Sequence, residues 1–455
     1  MKTIRGAVCG ALACAASLSW PALATEVEDD DAAQPAPLQV ISTAAPDAAE
    51  VTEVDGRPAP LALLGDAVKA GEFDTLYWAP AQTFASIATP VPVLVAHGSR
   101  PGPTVCLTAA IHGDELNGIE MVRRLMYQLE PANLSGSVIG IPIVNLDGFR
   151  RGERYLADRR DLNRYFPGTP TGSSAARVAH SLFSEIIVHC QFLVDLHTGS
   201  LRRVNHAQLR GDMTQPEIVE FARTFGGITV LHGTAASGTL RGAAAKAGIP
   251  TVTMEAGGPN RLEEDAVDSG VKAIETMLDN LGMRKTRRFW SSPQPVFYES
   301  QWLRADQGGI LMSKVRLNEQ VRRGQVLGTV TDPVTNTGSA IIAPFNGRLL
   351  GMAENQVVHT GFAAYHLGVE KAPEEVQQEA AREEAARAAQ AVTDTDAPAT
   401  SDDGAATLND AAADDAAADD LDGGEPPAAG AEPEPEPAPQ PEPAPEPEPE
   451  DHNAE

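Results

Sequence analysis

The sequence predicts an α/β fold, a mixed sheet flanked by helices, followed by a small all-β barrel-like module and a disordered acidic tail. Three observations carry this expectation. Short apolar runs alternate with helical patterns from about Leu61 to Met283, as when strands and helices take turns around a mixed or mostly parallel sheet. Beyond Arg284-Lys285 the helical patterns stop, and short strand candidates are punctuated by Gly, Pro, Asn and Asp, the texture of a small all-β unit. From Lys371 onward 25 Asp and Glu accompany only three basic residues. The expected organisation is a signal peptide over 1–24, a disordered leader over 25–57, an α/β domain over 58–288, a β module over 289–370 and a disordered Ala/Glu/Pro-rich tail over 371–455.

At the N-terminus, Lys2 and Arg5 precede an apolar stretch over 6–18 and the small-x-small triplet Ala22-Leu23-Ala24. This is the pattern of a cleaved export signal and places the mature chain in the periplasm. An uncleaved anchor would need about 20 apolar residues, and Ser17, Ser19 and Pro21 interrupt this one. No later segment is apolar enough to span a bilayer. The leader is rich in Ala, Pro, Asp and Glu without apolar periodicity.

In the α/β domain, strands are expected at 91–96, 105–111, 138–144, 192–196 and 251–255, and helices at 116–129, 175–188 and 262–281. Residues 199–211 read as a specificity loop. In the module, strands are expected at 310–312, 326–330, 340–342 and 348–351. In the tail, an Ala/Glu/Arg stretch over 372–391 has helical propensity, and the Glu-Pro repeats over 432–450 favour an extended polyproline chain. The tail reads as a solvated spacer, with a basic partner as its alternative role.

Residues 61–370 carry 29 basic and 29 acidic side chains, so the net charge of −28 belongs to the two ends. A neutral folded part has no excess cation with which to displace phosphate counterions, which argues against nucleic acid as a partner. Without the signal, the cysteines are Cys106 and Cys190, each in an apolar run. Small buried residues are the favoured reading, and a single bridge is the alternative.

Most of the ten histidines, among them His97, His180, His189, His359 and His366, lack acidic or cysteine neighbours at ligand spacing. His112 differs: Ile111-His112-Gly113-Asp114-Glu115 follows an apolar run, where α/β folds place ligands. Three-residue spacing allows His112 and Glu115 to reach one metal ion. The spacing alone is weak evidence, since His452 and Glu455 repeat it in the tail. His197, in Asp195-Leu196-His197-Thr198-Gly199, supplies a third candidate. Two His and one Glu leave a fourth zinc position open, the catalytic arrangement. Asp195 shares a strand face with His197 and suits support of that ligand as well as ligation. Glu255 ends the apolar run 251–255, where an acid is costly unless it is a base or has a partner; pairing with an arginine is the bland reading. Between these groups lie six arginines in residues 150–164, planar partners for carboxylates and oxyanions.

The order His-x-x-Glu, Asn145-Leu146-Asp147-Gly148, Arg154-Tyr155, Asp161-Leu162-Asn163-Arg164-Tyr165-Phe166-Pro167-Gly168, Asp195-Leu196-His197-Thr198-Gly199 and a strand-borne Glu255 resembles the succinylglutamate desuccinylase/aspartoacylase family of the zinc carboxypeptidase clan. The resemblance spans about 90–281. It implies a zinc-carboxypeptidase-like sheet and one zinc per chain on His112, Glu115 and His197, with Glu255 as general base and acid. It further implies Arg154 at the scissile carbonyl and Asn163 and Arg164 on the substrate carboxylate. Asp158-Arg159-Arg160 lengthens the spacing relative to the desuccinylase, so Arg159 stays beside Arg154 as a candidate substrate contact. Arg241 looks similar to a further substrate arginine. The module resembles the biotinyl/lipoyl-like barrel of family members, which borders the active-site entrance; it lacks a Met-Lys-Met motif, so no carried cofactor is expected.

The expected activity is an exported zinc amidohydrolase cleaving an N-acyl amino acid or short peptide with a free carboxylate. The alternatives are a metallocarboxypeptidase acting on peptidoglycan-type envelope peptides, and a noncatalytic envelope binding protein on a hydrolase scaffold.

Overall fold

The structure, a computed structural model, describes residues 53–54, 57–80, 89–284 and 296–369. The expected signal peptide, most of the leader and the tail lie outside these residues. Two short hairpins open the described chain, β1 (Glu53–Val54) with β2 (Arg57–Pro58), and β3 (Leu61–Leu63) with β4 (Asp66–Val68). The end of the expected disordered leader thus contains an antiparallel strand pair, Glu53 opposite Pro58 and Val54 opposite Arg57.

The α/β part follows as β5 (Glu72–Trp78), β6 (Val91–His97), β7 (Arg100–Ala109), α1 (Leu116–Gln128), β8 (Ser135–Ile141), α2 (Leu146–Arg151), α3 (Ser174–Glu185), β9 (Phe192–His197), β10 (Arg203–Gly211), α4 (Pro216–Arg223), β11 (Thr229–His232), α5 (Leu240–Lys246), β12 (Thr251–Gly257) and α6 (Glu264–Asn280). Strands β8, β7, β9 and β12 run parallel at the centre of a mixed sheet. They read as near-continuous apolar runs because both their faces are covered. Met121, Val122 and Leu125 of α1, Ile218 and Phe221 of α4 and Val267, Ile274 and Met277 of α6 bury one face. Ala175, Val178 and Leu182 of α3 with Leu240 and Ala244 of α5 bury the other.

The C-terminal part contributes β13 (Val296–Phe297), β14 (Ser300–Arg304), β15 (Gly309–Ser313), β16 (Gln320–Val321), β17 (Val326–Thr331), β18 (Gly338–Ile342), β19 (Gly347–Ala353), β20 (Gln356–Val358) and β21 (Ala363–Gly368). Strands β18, β17, β15 and β20 form their own four-stranded sheet, whereas β19, β21 and β14 extend the main sheet outward from β10. Their shared core includes Leu311, Leu327, Leu349, Tyr365 and Leu367, together with Val204 of β10. The module is therefore joined edge-on to the α/β part through the antiparallel ladder that runs from Arg203–Ala353 to Asn205–Gly351.

Two expectations are corrected. The expected specificity loop over 199–211 is largely strand β10, seated between β12 and β19. The cysteines expected as free buried residues are paired: Cys106 and Cys190 form a disulfide with Cα atoms 5.7 Å apart. Parallel pairing of β7 with β9 carries Cys190, two residues before β9, alongside Cys106, a proximity that neither apolar run reveals by itself.

Candidate functional site

The site lies at the carboxyl ends of the parallel strands. Past the end of β7, Ala110 adopts a φ of 49°, a left-handed conformation costing an alanine about 1 kcal/mol, and the chain turns toward His112. Gly113 packs against the Gly148–Phe149 backbone so closely that a Cβ there would overlap it, and its N–H donates to the Arg154 carbonyl at 3.1 Å. This contact fixes the loop after β7 to the loop after α2. Asn145 reinforces it, accepting from Gly148 N at 2.9 Å and donating to the Arg154 carbonyl at 3.2 Å.

His197 and Glu255 are register partners on neighbouring parallel strands, as are Asp195 and Thr253 one layer below. Residues two apart on a strand share a face, so one side of the sheet presents both layers. His112, Glu115 and His197 are all buried, and one ligand atom from each lies within 4.8 Å of the other two. The Glu115 carboxylate spans the imidazoles, with Oε1 2.8 Å from His112 Nδ1 and Oε2 2.9 Å from His197 Nδ1. Each remaining ring nitrogen meets another carboxylate: His112 Nε2 lies 3.0 Å from Asp161 and His197 Nε2 2.9 Å from Asp195. Thr108 in turn donates to Asp195 at 2.7 Å. A carboxylate on the far nitrogen holds the proton there and leaves Nδ1 with a lone pair, as a metal-ligating histidine requires. The donor set suits a zinc ion: two imidazole nitrogens and a carboxylate converge.

The electrostatics follow from that cluster. Burial alone would lift Glu115, yet the charges and hydrogen bonds of His112 and His197 hold its carboxyl far below the usual range. Asp161 behaves alike, depressed against its burial chiefly by His112 and then Arg154. Glu255 moves the other way: burial raises it, against the pull of Arg210 and His197.

A cavity collects His112, Glu115, Arg154, Asn163, Arg164, His197, Arg241 and Glu255 in one lining. Arg154 is buried and donates to Glu115 Oε1 at 2.9 Å. Arg159 is exposed at φ 62° and outside the lining, so of these two candidates only Arg154 reaches the cavity. Asn163 sits in a short 3-10 turn capped by Asp161, and its Oδ1 accepts from Leu240 N at 2.8 Å. Arg241 donates to the Gly233 carbonyl at 2.8 Å. Glu255 also has an arginine nearby, Arg210 Nη1 3.8 Å from Oε1.

Sequence reasoning missed Ser200, Arg203, Asn205 and Arg210 near or on β10 and Trp302 on β14, which all line the same cavity. Trp302 stacks on His366 at 4.5 Å between ring centroids, and the Arg203 guanidinium lies 5.0 Å from its ring centre. Arg203 further donates to Ser200 Oγ at 2.5 Å. The C-terminal module thus contributes Trp302 to the cavity lining.

Comparison with known proteins meets this geometry directly. Residues 101–281 match the family model of the succinylglutamate desuccinylase/aspartoacylase catalytic domain, and the matched stretch contains every candidate ligand and Glu255. Residues 101–281 thus resemble the catalytic domain of that family. A curated N-alpha-acetyl-L-2,4-diaminobutyric acid deacetylase from Halomonas elongata is 26% identical over 266 residues, covering 56% of this chain and 77% of that protein. A succinylglutamate desuccinylase/aspartoacylase structure from Rhodobacter sphaeroides superposes with a TM-score of 0.60 at 23% identity, covering 66% of this chain and 96% of its own. The product-bound ectoine utilization protein EutE (DoeB) from Ruegeria pomeroyi gives 0.60 at 20%, covering 70% and 100%. At these identities the structures establish a shared fold. Among the described residues no helix is long and apolar enough to cross a membrane.

Proposed function

We propose that this protein is an exported, zinc-dependent amidohydrolase that removes the acyl group from a small N-acyl amino acid, or cleaves a short peptide, bearing a free carboxylate. The observation that carries the reading is the buried His112, Glu115 and His197 cluster beside Glu255, inside a cavity that five arginines line. A zinc ion held by those three residues would supply Lewis acidity and a lowered pKa for water. Glu255, buried and raised, takes the proton from the attacking water and returns it to the leaving amine. Arg154 stabilises charge developing on the carbonyl oxygen. Arg164, Asn163 and Arg241 grip the substrate carboxylate, for which guanidinium geometry is suited. The deacetylase relative supports the N-acyl amino acid class; its substrate has an amine side chain, a poor complement to an arginine-lined cavity.

Export rests on the N-terminal signal pattern, and a disulfide suits an oxidising compartment such as the periplasm. Export also favours a second reading, carboxypeptidase action on envelope peptides, because such peptides share the compartment. The test is zinc stoichiometry on the signal-free protein beside His112→Ala and His197→Ala, with a panel of N-acetyl and N-succinyl amino acids and peptidoglycan peptides. About one zinc, lost in both variants, with turnover abolished in Glu255→Gln while zinc is retained, supports the hydrolase; the panel member turned over separates the two readings. Absence of zinc after reconstitution overturns it and leaves a binding protein.

A further inference from the structure

A buried base works only if its carboxylate is aimed, and β10 supplies the aim. Asn205 and Arg210 lie on β10 with an odd spacing that would send their side chains to opposite faces of a regular strand. Both nevertheless reach Glu255: Asn205 Nδ2 donates to Oε2 at 3.0 Å, and Arg210 Nη1 stands 3.8 Å from Oε1. The register accounts for this. Asn205 pairs with Gly257 and Gln208 with Glu255, so β10 advances one residue more than β12 between those pairs. An extra residue of this kind is a bulge, which resets the alternation and re-aims side chains.

On its other side Asn205 pairs with Gly351 of β19, where an added Cβ would lie 2.5 Å from Asn205 Oδ1. The module strand therefore leaves, at a glycine, the space that the amide occupies. Asn205 Oδ1 is buried without a hydrogen-bond partner among the described residues, a cost that an amide kept only for packing would not need to bear.

We propose that Asn205 is a positioning residue for Glu255, seated by the β10 bulge and by Gly351, so that the C-terminal module takes part in aligning the base. This rests on the reading of Glu255 as the base. Asn205→Ala lowers kcat by ~10–100-fold with KM within about twofold, since misaimed catalytic groups cost rate rather than affinity. Gly351→Ala pushes the amide aside and lowers kcat as well, yet adds no loss in the Asn205→Ala background, where the space is free. Crystal structures of the zinc-loaded wild type and Asn205→Ala show the Glu255 carboxylate displaced in the variant, a readout that needs no turnover.

Full kcat in Asn205→Ala, additive losses in the double variant, or an unmoved carboxylate each overturn the proposal. Wild-type turnover in Glu255→Gln overturns the base reading and this proposal together, whereas an inactive Glu255→Gln beside a fully active Asn205→Ala sinks only the positioning role.

Discussion

Removing the Cys106–Cys190 bridge by a double alanine substitution tests how the strands that lead to the candidate ligands His112 and His197 are tied together. The cysteines are 84 residues apart in sequence, and the chain-entropy relation for a loop of that size gives ~4.6 kcal/mol lost at room temperature. Both side chains are buried, so alanine leaves no unsatisfied polar atom behind. Guanidinium unfolding of the signal-free protein, oxidised wild type against the double variant, should show a stability deficit of about 3–5 kcal/mol. The melting temperature should fall by roughly 10 °C, at about 2–4 °C per kcal/mol for a domain of this size. His112 follows the C-terminal end of β7 and His197 is the last residue of β9, so bound metal should be released at a correspondingly lower temperature. Superimposable unfolding curves, or two free thiols in the denatured but unreduced wild type, would refute this reasoning.

Three further outcomes follow from the site. Gly113→Ala cannot keep the close approach to the Gly148–Phe149 backbone; His112 is displaced, and metal titration should show affinity down by at least tenfold while far-UV circular dichroism is preserved, and an unchanged affinity contradicts it. Trp302→Ala removes the surface on which Arg203 lies; KM for a carboxylate substrate should rise by about 3–30-fold, the equivalent of ~0.5–2 kcal/mol, with kcat nearly unchanged. Burial raises the pKa of Glu255, and a base must be deprotonated, so kcat falls as pH drops through that raised value; Arg210→Met removes an opposing positive charge and moves the acid limb higher. An acid limb at the ordinary glutamate value of ~4.3 would count against this assignment.

The cluster of His112, Glu115 and His197 beside Glu255 was legible as a candidate site because each residue closes or follows an apolar run, and the parallel strands were legible because burial on both faces makes such runs. Strand β10 was not. Its residues Arg203, Asn205, Gln208 and Arg210 put polar groups where a half-buried strand would show alternation, and the bulge shifts the phase midway. Function thus erased the pattern that announces a strand, and a run of polar residues was read as a loop. Trp302 was hidden for another reason: its place in the cavity depends on β14 joining β21 at the far side of the sheet, a pairing between segments more than fifty residues apart. The disulfide depended likewise on the β7–β9 adjacency. Arg154 and Arg159 were indistinguishable by type and spacing; only burial separates them.

The seam between β10 and β19 also bears on how the molecule comes apart. Since the main sheet continues through it, and Val204 is shared with the core of the last strands, the C-terminal part cannot peel away without exposing backbone donors and acceptors along β10. Cooperative units in folded chains form where such ladders and cores are continuous. The boundary that composition draws near Arg284 is thus a change of local texture, while the unfolding unit extends across it, and the slowest amide hydrogen exchange should extend through the β12–β10–β19 ladder without a break at that boundary.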